Sequence, residues 1–381
     1  MARCHVCRND DLTLFAGYES FRRVTGDCRP WGTGGRLGVC QGCGAVCNEL
    51  DSEWHREAAQ IYAGYTHYYQ SSDHTEQRVF DQTSGVGLPR SQLIFERALK
   101  GRGLPEVGRM IDVGCGNGVT LRAFGKFAPQ WRLYGLEKYL HDPKGVESIE
   151  NVEAIFSSEL SDVSGTFDLI TLMHVFEHVT DPLDTLQHVR HRLTPAGICL
   201  IQIPYFPDNP FDLLVADHCT HFTPDTIRPV FSKAGLHILE LSTCIIRKEI
   251  TVVARRGDVE DLHAMPQTAS RNWQAADVGL KWLANTLEAA QSSSRKENFG
   301  LFGTSTAANW LFGYVGEQTK YFIDEDASRV GCLCHGRPII HPKDAPADGH
   351  VFVCQPTKIA REIVSRLPRT GTEYDLPVYE Q

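Results

Sequence analysis

Apolar positions in the middle of the chain fall into short runs that alternate with stretches of helical period. Met110-Ile-Asp-Val113 is one such run, closed by Gly114, Gly116 and Gly118 at alternate positions. The spacing predicts a strand over 109–113, a glycine turn, and a helix over about 118–127. A second strand-like run, 131–136, stops at Glu137. Apolar runs at 152–156 and 167–173 predict two further strands, and a helical pattern over about 181–193 leads into the run 198–203. Upstream, Leu93, Ile94, Ala98 and Leu99 share one face of a predicted helix over 88–104. Strands alternating with helices predict an α/β fold with a doubly wound parallel sheet. Ligands of such sheets sit beyond the carboxyl ends of the strands, where the glycine turn lies.

A break follows near Arg255-Arg-Gly257. Residues 262–292 carry Leu280, Trp282, Leu283, Leu287 and Ala290 at helical spacing. A second strand, glycine turn and helix are predicted over 298–309, answered by Lys320-Tyr-Phe-Ile-Asp324, with strands at 338–340 and 350–354. This is the pattern of a smaller Rossmann-like unit. It lacks the third glycine of the dinucleotide fingerprint, so a substrate-facing or purely structural unit is preferred to an NAD site. The expected organisation is residues 1–56, 57–256 and 257–381.

With 381 residues the chain is long enough for such a division. Its net charge of −9, without a basic cluster, argues against a nucleic-acid partner. There is no run of about 18 apolar residues, so no membrane span is expected. The first residues lack the apolar core of a signal peptide, which makes a cytoplasmic protein the default expectation.

Six of the 13 cysteines lie at positions 4, 7, 28, 40, 43 and 47. Cys4-x2-Cys7 and Cys40-x2-Cys43 are two knuckle pairs, the spacing of a tetrahedral structural zinc site that holds a segment too small to fold on its own core. Cys28 and Cys47 are possible substitutes, more simply read as reduced bystanders. Between this unit and the sheet lies a tyrosine-rich connector, residues 61–72. Its rings can line a polar ligand site or pack one domain on another.

The glycine turn, the strand after it and Glu137 resemble the first motif of class I S-adenosylmethionine (SAM) methyltransferases. The resemblance implies that Asp112 and the backbone of Gly114, Cys115 and Gly116 meet the amino-acid end of SAM. It also implies that Glu137 accepts from the ribose hydroxyls and that His174, at a strand end, faces SAM through its backbone. The acid that usually receives the adenine amino group is not evident, because Ser157-Ser158-Glu159 stands there.

The order of parts resembles the nucleotide-sugar C-methyltransferases that make branched deoxysugars, with an N-terminal zinc module, a central SAM domain and a C-terminal Rossmann-like domain. Cys4-His-Val-Cys7, Cys40-Gln-Gly-Cys-Gly44, Tyr69-Gln-Ser-Ser72, the 299–309 turn and Ile339-Ile-His-Pro342 carry the likeness. It implies a nucleotide-sugar acceptor touched by Tyr69 and Ser71, and a histidine at His178 in the active site. Where the family reads Tyr-His-Glu-His, this chain has Val215, Ala216, Asp217 and His218, which keeps an acid and a histidine but loses the tyrosine.

Carbon methylation requires removal of a proton beside a carbonyl, and a neutral histidine suits that task. The expectation is that His178 or His218 is the base, and that the other, with Asp217, orients or stabilises the enolate. Asp217 and His218 could instead brace a loop backbone. His221 and Cys219 read as structural neighbours. An O- or N-methyltransferase acting on a related polar metabolite is the rival reading, since it would use the same SAM pocket.

Overall fold

A computed structural model describes residues 3–66, 78–80, 87–139, 142–259, 262–263 and 265–377. Seven strands form the central sheet: β1 (Arg109–Val113), β2 (Arg132–Leu136), β3 (Val152–Phe156), β4 (Phe167–Met173), β5 (Leu193–Pro204), β6 (Leu236–Ser242) and β7 (Glu249–Arg256). Their spatial order is β3-β2-β1-β4-β5-β7-β6. The first five strands are parallel, and β7 enters antiparallel between β5 and β6. The chain steps outward from β1 to β3 and then returns to β4 beside β1. That reversal leaves a crevice above the carboxyl ends of β1 and β4.

The inner strands are covered on both faces, which is why they read as continuous apolar runs. Ile111, Ile170, Leu172 and Ile201 pack on one side. Met110, Leu133, Leu169 and Leu200 pack on the other. The antiparallel β6–β7 edge was not expected, because the period of an apolar run carries no strand direction. The predicted 88–104 helix is shorter than expected. Its last regular turn, Phe95–Leu99, is wound as a π-helix, and Gly101 and Gly103 follow with φ of 77° and 75°.

The N-terminal unit has a four-stranded sheet, Leu12–Leu14, Leu37–Cys40, Val46–Asn48 and Thr220–His221. Its last strand comes from the segment of the chain between β5 and β6. Helix α1 (Ser52–Ala63) runs across residue 56, with the Asp51 side chain accepting from the Trp54 amide as N-cap. Helix α2 (Val119–Phe127) follows the glycine turn, and α3 (Pro182–Arg192) opens with Pro182 behind the capping Asp181.

Beyond β7, α4 (Thr268–Ser293) leads to a six-stranded sheet. Its order is Leu333–Cys334, Arg337–Ile340, Tyr321–Ile323, Phe299–Phe302, His350–Val353, Glu373–Asp375. All pairings but the first are parallel, and α5 (Thr306–Val315) follows the Gly303 turn. One apolar core joins Phe15 and Val39 of the N-terminal unit to Phe211, Trp282 and Trp310. Among the described residues, no helix is long and apolar enough to cross a membrane.

Candidate active site

The glycine turn lies at the carboxyl end of β1. Gly114, Gly116 and Gly118 have φ of 72°, 50° and 78°, conformations that side chains other than glycine rarely adopt. A Cβ at Gly114 would stand 2.3 Å from Val175 Cγ2, so the turn is pressed against the segment that follows β4. Glu137 closes the turn from the end of β2: one carboxylate oxygen accepts from the Gly116 amide at 3.0 Å, the other from the Tyr139 amide at 3.1 Å. Cys115 is buried beneath the turn.

Asp112 is 1% exposed and accepts from the Thr171 hydroxyl at 2.6 Å, while its second oxygen has no partner. Burial pushes this carboxyl up to about 7. A cleft of about 500 Å³ opens alongside, lined by Tyr62, Ala63, Lys138, Tyr139, Ile155 and Ser157. The Tyr62 and Tyr139 rings stack with centroids 5.6 Å apart.

The second part of the site follows β4. His174 has φ of 56°, and its amide donates to the Gln202 carbonyl at 2.8 Å. Its ring is 3.1 Å from Glu177 and 3.5 Å from Glu249, and it also contacts Arg90. The half-buried Glu249 in turn takes Arg90 as its ion-pair partner and accepts from the Gln202 side-chain amide at 2.5 Å. His174 therefore sits in a charged brace beneath the crevice, with its amide committed to Gln202.

His178 lies four residues on, at the end of a 3-10 turn. Its Nδ1 is 3.1 Å from the Asp217 carbonyl, 3.4 Å from an Asp217 carboxylate oxygen and 3.1 Å from Tyr62 Oη. A carbonyl oxygen only accepts, so Nδ1 carries a proton. Burial opposes charging of this ring, but the hydrogen bond and charge of Asp217 outweigh it and push His178 up to about 9. Asp217 is held below the usual carboxylate range: His178 and the Gly26 amide, which donates at 2.7 Å, overcome its burial. Gly26 has to be glycine for this approach, since a Cβ there would lie 3.0 Å from Asp217 Oδ2, His178 Cε1 and Tyr65 Oη.

The third part is a carboxylate fork. Asp212 takes His218 Nδ1 on one oxygen at 2.9 Å and His221 Nδ1 on the other at 2.7 Å. Although burial opposes ionisation, the two histidines hold Asp212 below the usual carboxylate range. Each Nδ1 therefore donates, and His218 is left with Nε2 to offer. The His178 and His218 rings meet edge to face with centroids 4.6 Å apart.

The three residues expected to be catalytic, His178, Asp217 and His218, thus converge, and the turn residues Asp112, Gly114, Cys115, Gly116 and Glu137 gather beside them. Tyr69 and Ser71 lie outside the described residues. Sequence reasoning missed Tyr62, Glu177, Asp212, Arg90 and Glu249. Asp212 had a visible signal, an acid six residues before His218, and Tyr62 lay in the tyrosine-rich segment. Arg90 and Glu249 had none, because each is defined by a partner far away in the chain.

Sulfur atoms of Cys4, Cys7, Cys40 and Cys43 lie within 4.8 Å of one another. Cys4 and Cys43 are 3.8 Å apart, and Cys7 and Cys40 3.5 Å. Cys28 lies elsewhere, 3.7 Å from the Thr306 hydroxyl. In the C-terminal unit Asp324 accepts from the Thr304 hydroxyl at 2.7 Å and from the Asp326 amide at 3.0 Å, and pairs with Arg329. The acid at that strand end is committed within its own unit.

The family described as "Methyltransferase domain" matches residues 90–241. The C-methyltransferase NovU of Streptomyces niveus is 23% identical over 279 residues, covering 65% of this chain and 66% of that protein. The ubiquinone biosynthesis O-methyltransferase of Xanthomonas campestris pv. campestris is 28% identical over 155 residues, 35% of this chain and 62% of that protein. The matched stretches thus span just under two thirds of these relatives. A solved S-adenosylmethionine-dependent methyltransferase from Clostridium acetobutylicum is 15% identical, covering 44% of this chain and 90% of that one with a TM-score of 0.38. Residues 90–241 of this chain thus match the methyltransferase-domain family, and the central sheet they contribute to has the class I S-adenosylmethionine-dependent fold.

Proposed function

We propose that the protein methylates carbon in a keto-deoxysugar nucleotide, with SAM as methyl donor and a base-generated enolate as nucleophile. The observation that carries this reading is the pair of neighbouring imidazoles, each anchored at Nδ1 by a different buried aspartate. Transfer to oxygen or nitrogen needs one base. Enolate formation needs a base and a group that meets the developing oxyanion, and two differently held histidines supply both.

The residues present fit SAM. Asp112 has an unpartnered buried oxygen, the turn at Gly114 has no room for a side chain, and Glu137 holds the turn through the Gly116 amide. Asp112, Gly114, Cys115 and Gly116 would hold the amino-acid end, Glu137 the ribose, and His174 would shape the floor. SAM supplies a methyl group already activated on a cationic sulfur.

The chain's own groups divide the remaining work. His218, with Nδ1–H committed to Asp212, presents Nε2 to take the proton beside the carbonyl. His178, charged at neutral pH through Asp217, donates to the enolate oxygen. Burial keeps the Tyr62 phenol well above its ordinary range, so it stays a neutral hydroxyl beside His178. The nucleotide-sugar acceptor, with Tyr69 and Ser71 as proposed contacts, rests on the family resemblance, and the likeness to a C-methyltransferase supports carbon as the methylated atom.

The four thiols fit a structural zinc ion: their shorter separations match the edge of about 3.8 Å expected for a tetrahedron with Zn–S bonds of about 2.3 Å. Cys4, Cys7, Cys40 and Cys43 would close it, leaving no position for chemistry. We propose no NAD in the C-terminal unit, whose turn lacks the third glycine of the dinucleotide fingerprint, and read residues 257–381 as substrate-facing.

The test is incubation with labelled SAM and a panel of 4-keto-deoxysugar nucleotides in D2O. Without SAM, deuterium should enter at the carbon beside the ketone; with SAM, a methyl group should appear on that carbon by NMR. A methyl on oxygen or nitrogen with no deuterium uptake would replace this reading by the rival that the likeness to an O-methyltransferase supports.

A further inference from the structure

Segment 213–221, which carries Asp217 and His218, is sewn to the N-terminal unit along its length. The Tyr18 hydroxyl donates to the Leu213 carbonyl at 2.7 Å, Val24 bridges Val215, and the Ala216 amide donates to the Val24 carbonyl at 2.8 Å. The Trp54 indole donates to the Ala216 carbonyl at 3.0 Å, and the Gly26 amide to the Asp217 carboxylate. Asn48 uses both its groups, with the side-chain amide donating to the His218 carbonyl at 2.8 Å and the backbone amide to the Cys219 carbonyl at 3.0 Å. Cys47 and Val46 then pair with Thr220 and His221 as adjacent strands.

Both cysteine knuckles reach this segment directly. His5, the residue after Cys4, places Nε2 2.6 Å from the Thr220 hydroxyl. The turn holding Cys40 and Cys43 feeds straight into Val46–Asn48, the strand on which Thr220–His221 pairs. The central domain holds the segment through Cys219, whose amide donates to the Glu177 carbonyl at 2.7 Å and whose thiol donates to the His178 carbonyl at 3.1 Å, and through the His178 ring on Asp217.

We infer that the four-thiolate site acts as a clamp on the catalytic segment, with His5 and Asn48 as positioning residues for Asp217 and His218. Resting on the reading above, this gives the metal a task beyond holding a small unit together. Without it, the 46–48 strand loses its anchor and His218 loses the frame that aims Nε2. The glycine turn and Glu137, at the ends of β1 and β2, are built without it.

Hydrogen exchange followed by mass spectrometry tests the clamp with a readout besides activity. The full-length protein is compared before and after zinc removal by a chelator, with zinc content measured and residues 109–118 as internal reference. The expected result is at least tenfold faster exchange across 213–221, with 109–118 and the SAM dissociation constant unchanged within twofold. Asn48→Ala should keep its zinc, speed exchange at 218–220 and lower turnover tenfold or more. Equal exchange in the zinc-bound and zinc-free forms overturns the inference, as does loss of protection in 109–118 along with 213–221. An Asn48→Ala protein that keeps full turnover also overturns it. If the segment responds but neither form binds SAM, the clamp stands and the methyltransferase reading fails.

Discussion

Tyr62 Oη lies 3.1 Å from His178 Nδ1 although 116 residues separate them in sequence. Tyr62 sits in the last turn of α1, which belongs to the N-terminal part of the chain, whereas His178 ends the turn after β4. The same tyrosine stacks on Tyr139, two residues past Glu137, and lines the cleft beside the glycine turn. One side chain therefore joins the wall of that cleft to His178, the proposed enolate stabiliser. Removing its hydroxyl while keeping the ring separates those two tasks. Tyr62→Phe should bind SAM as the wild type does and lose about tenfold in turnover, the scale of one lost hydrogen bond to a charged group. Calorimetry with SAM and steady-state kinetics check it.

Asp212 touches neither cleft nor cofactor turn, yet it sets which nitrogen of His218 is free. Asp212→Asn would leave the volume intact while permitting the other tautomer of the ring. Turnover should fall by about 10² to 10⁴, as when a histidine's orienting carboxylate is neutralised elsewhere. Donor binding should stay within twofold. A merely structural role would lower the melting temperature without such a fall at 15 °C.

The His178–Asp217 pair makes stability and rate depend on alkaline pH. The folded-state value for His178 is raised from 6.5 to about 9, so its contribution is complete below about pH 6.5 and is lost as pH rises through about 9. The melting temperature of the wild type should therefore fall between pH 6.5 and 9.5 more than that of Asp217→Asn, which lacks the pair. On the proposed mechanism turnover should fall over the same alkaline range, because the group proposed to donate to the enolate oxygen, His178, is then neutral. Thermal melts and a pH–rate profile of both proteins decide it.

Gly114→Ala combines a left-handed backbone with a collision, since the new Cβ would lie 2.3 Å from Val175 Cγ2. The backbone conformation alone costs about 1–2 kcal/mol for a side chain. The collision must push apart the turn and the 174–178 segment. SAM affinity should drop at least tenfold, measured by calorimetry, while exchange protection across 213–221 stays as in the wild type.

The parallel half of the central sheet was legible because its signals are local. An apolar run, a glycine triplet and an acid at the next strand's tip lie within 28 residues, 110–137, and each is read from neighbours in sequence. The second turn at 298–309 and its strands at 299–302 and 321–323 were readable for the same reason. The cysteine knuckles, too, announce themselves by spacing, and the sulfurs of Cys4, Cys7, Cys40 and Cys43 do gather. What local pattern could not supply was the sense of β7, or that Thr220–His221 leaves the central domain to complete another unit's sheet.

The chain alone thus determined where its strands, turns and reactive side chains stand in order, because period, glycine and spacing act over a few residues. Tertiary structure alone decided how those side chains are paired: His178 with Asp217 and Tyr62, His218 with Asp212, Glu249 with Arg90 and His174. The reason is physical. A histidine's proton and its free nitrogen are set by which buried charge comes within about 3 Å, where low polarisability makes the interaction strong. Asp212 and His218 are six residues apart, but the other pairings span 39 to 159 residues and are created only when the sheet, the cysteine-rich unit and α1 close on one another.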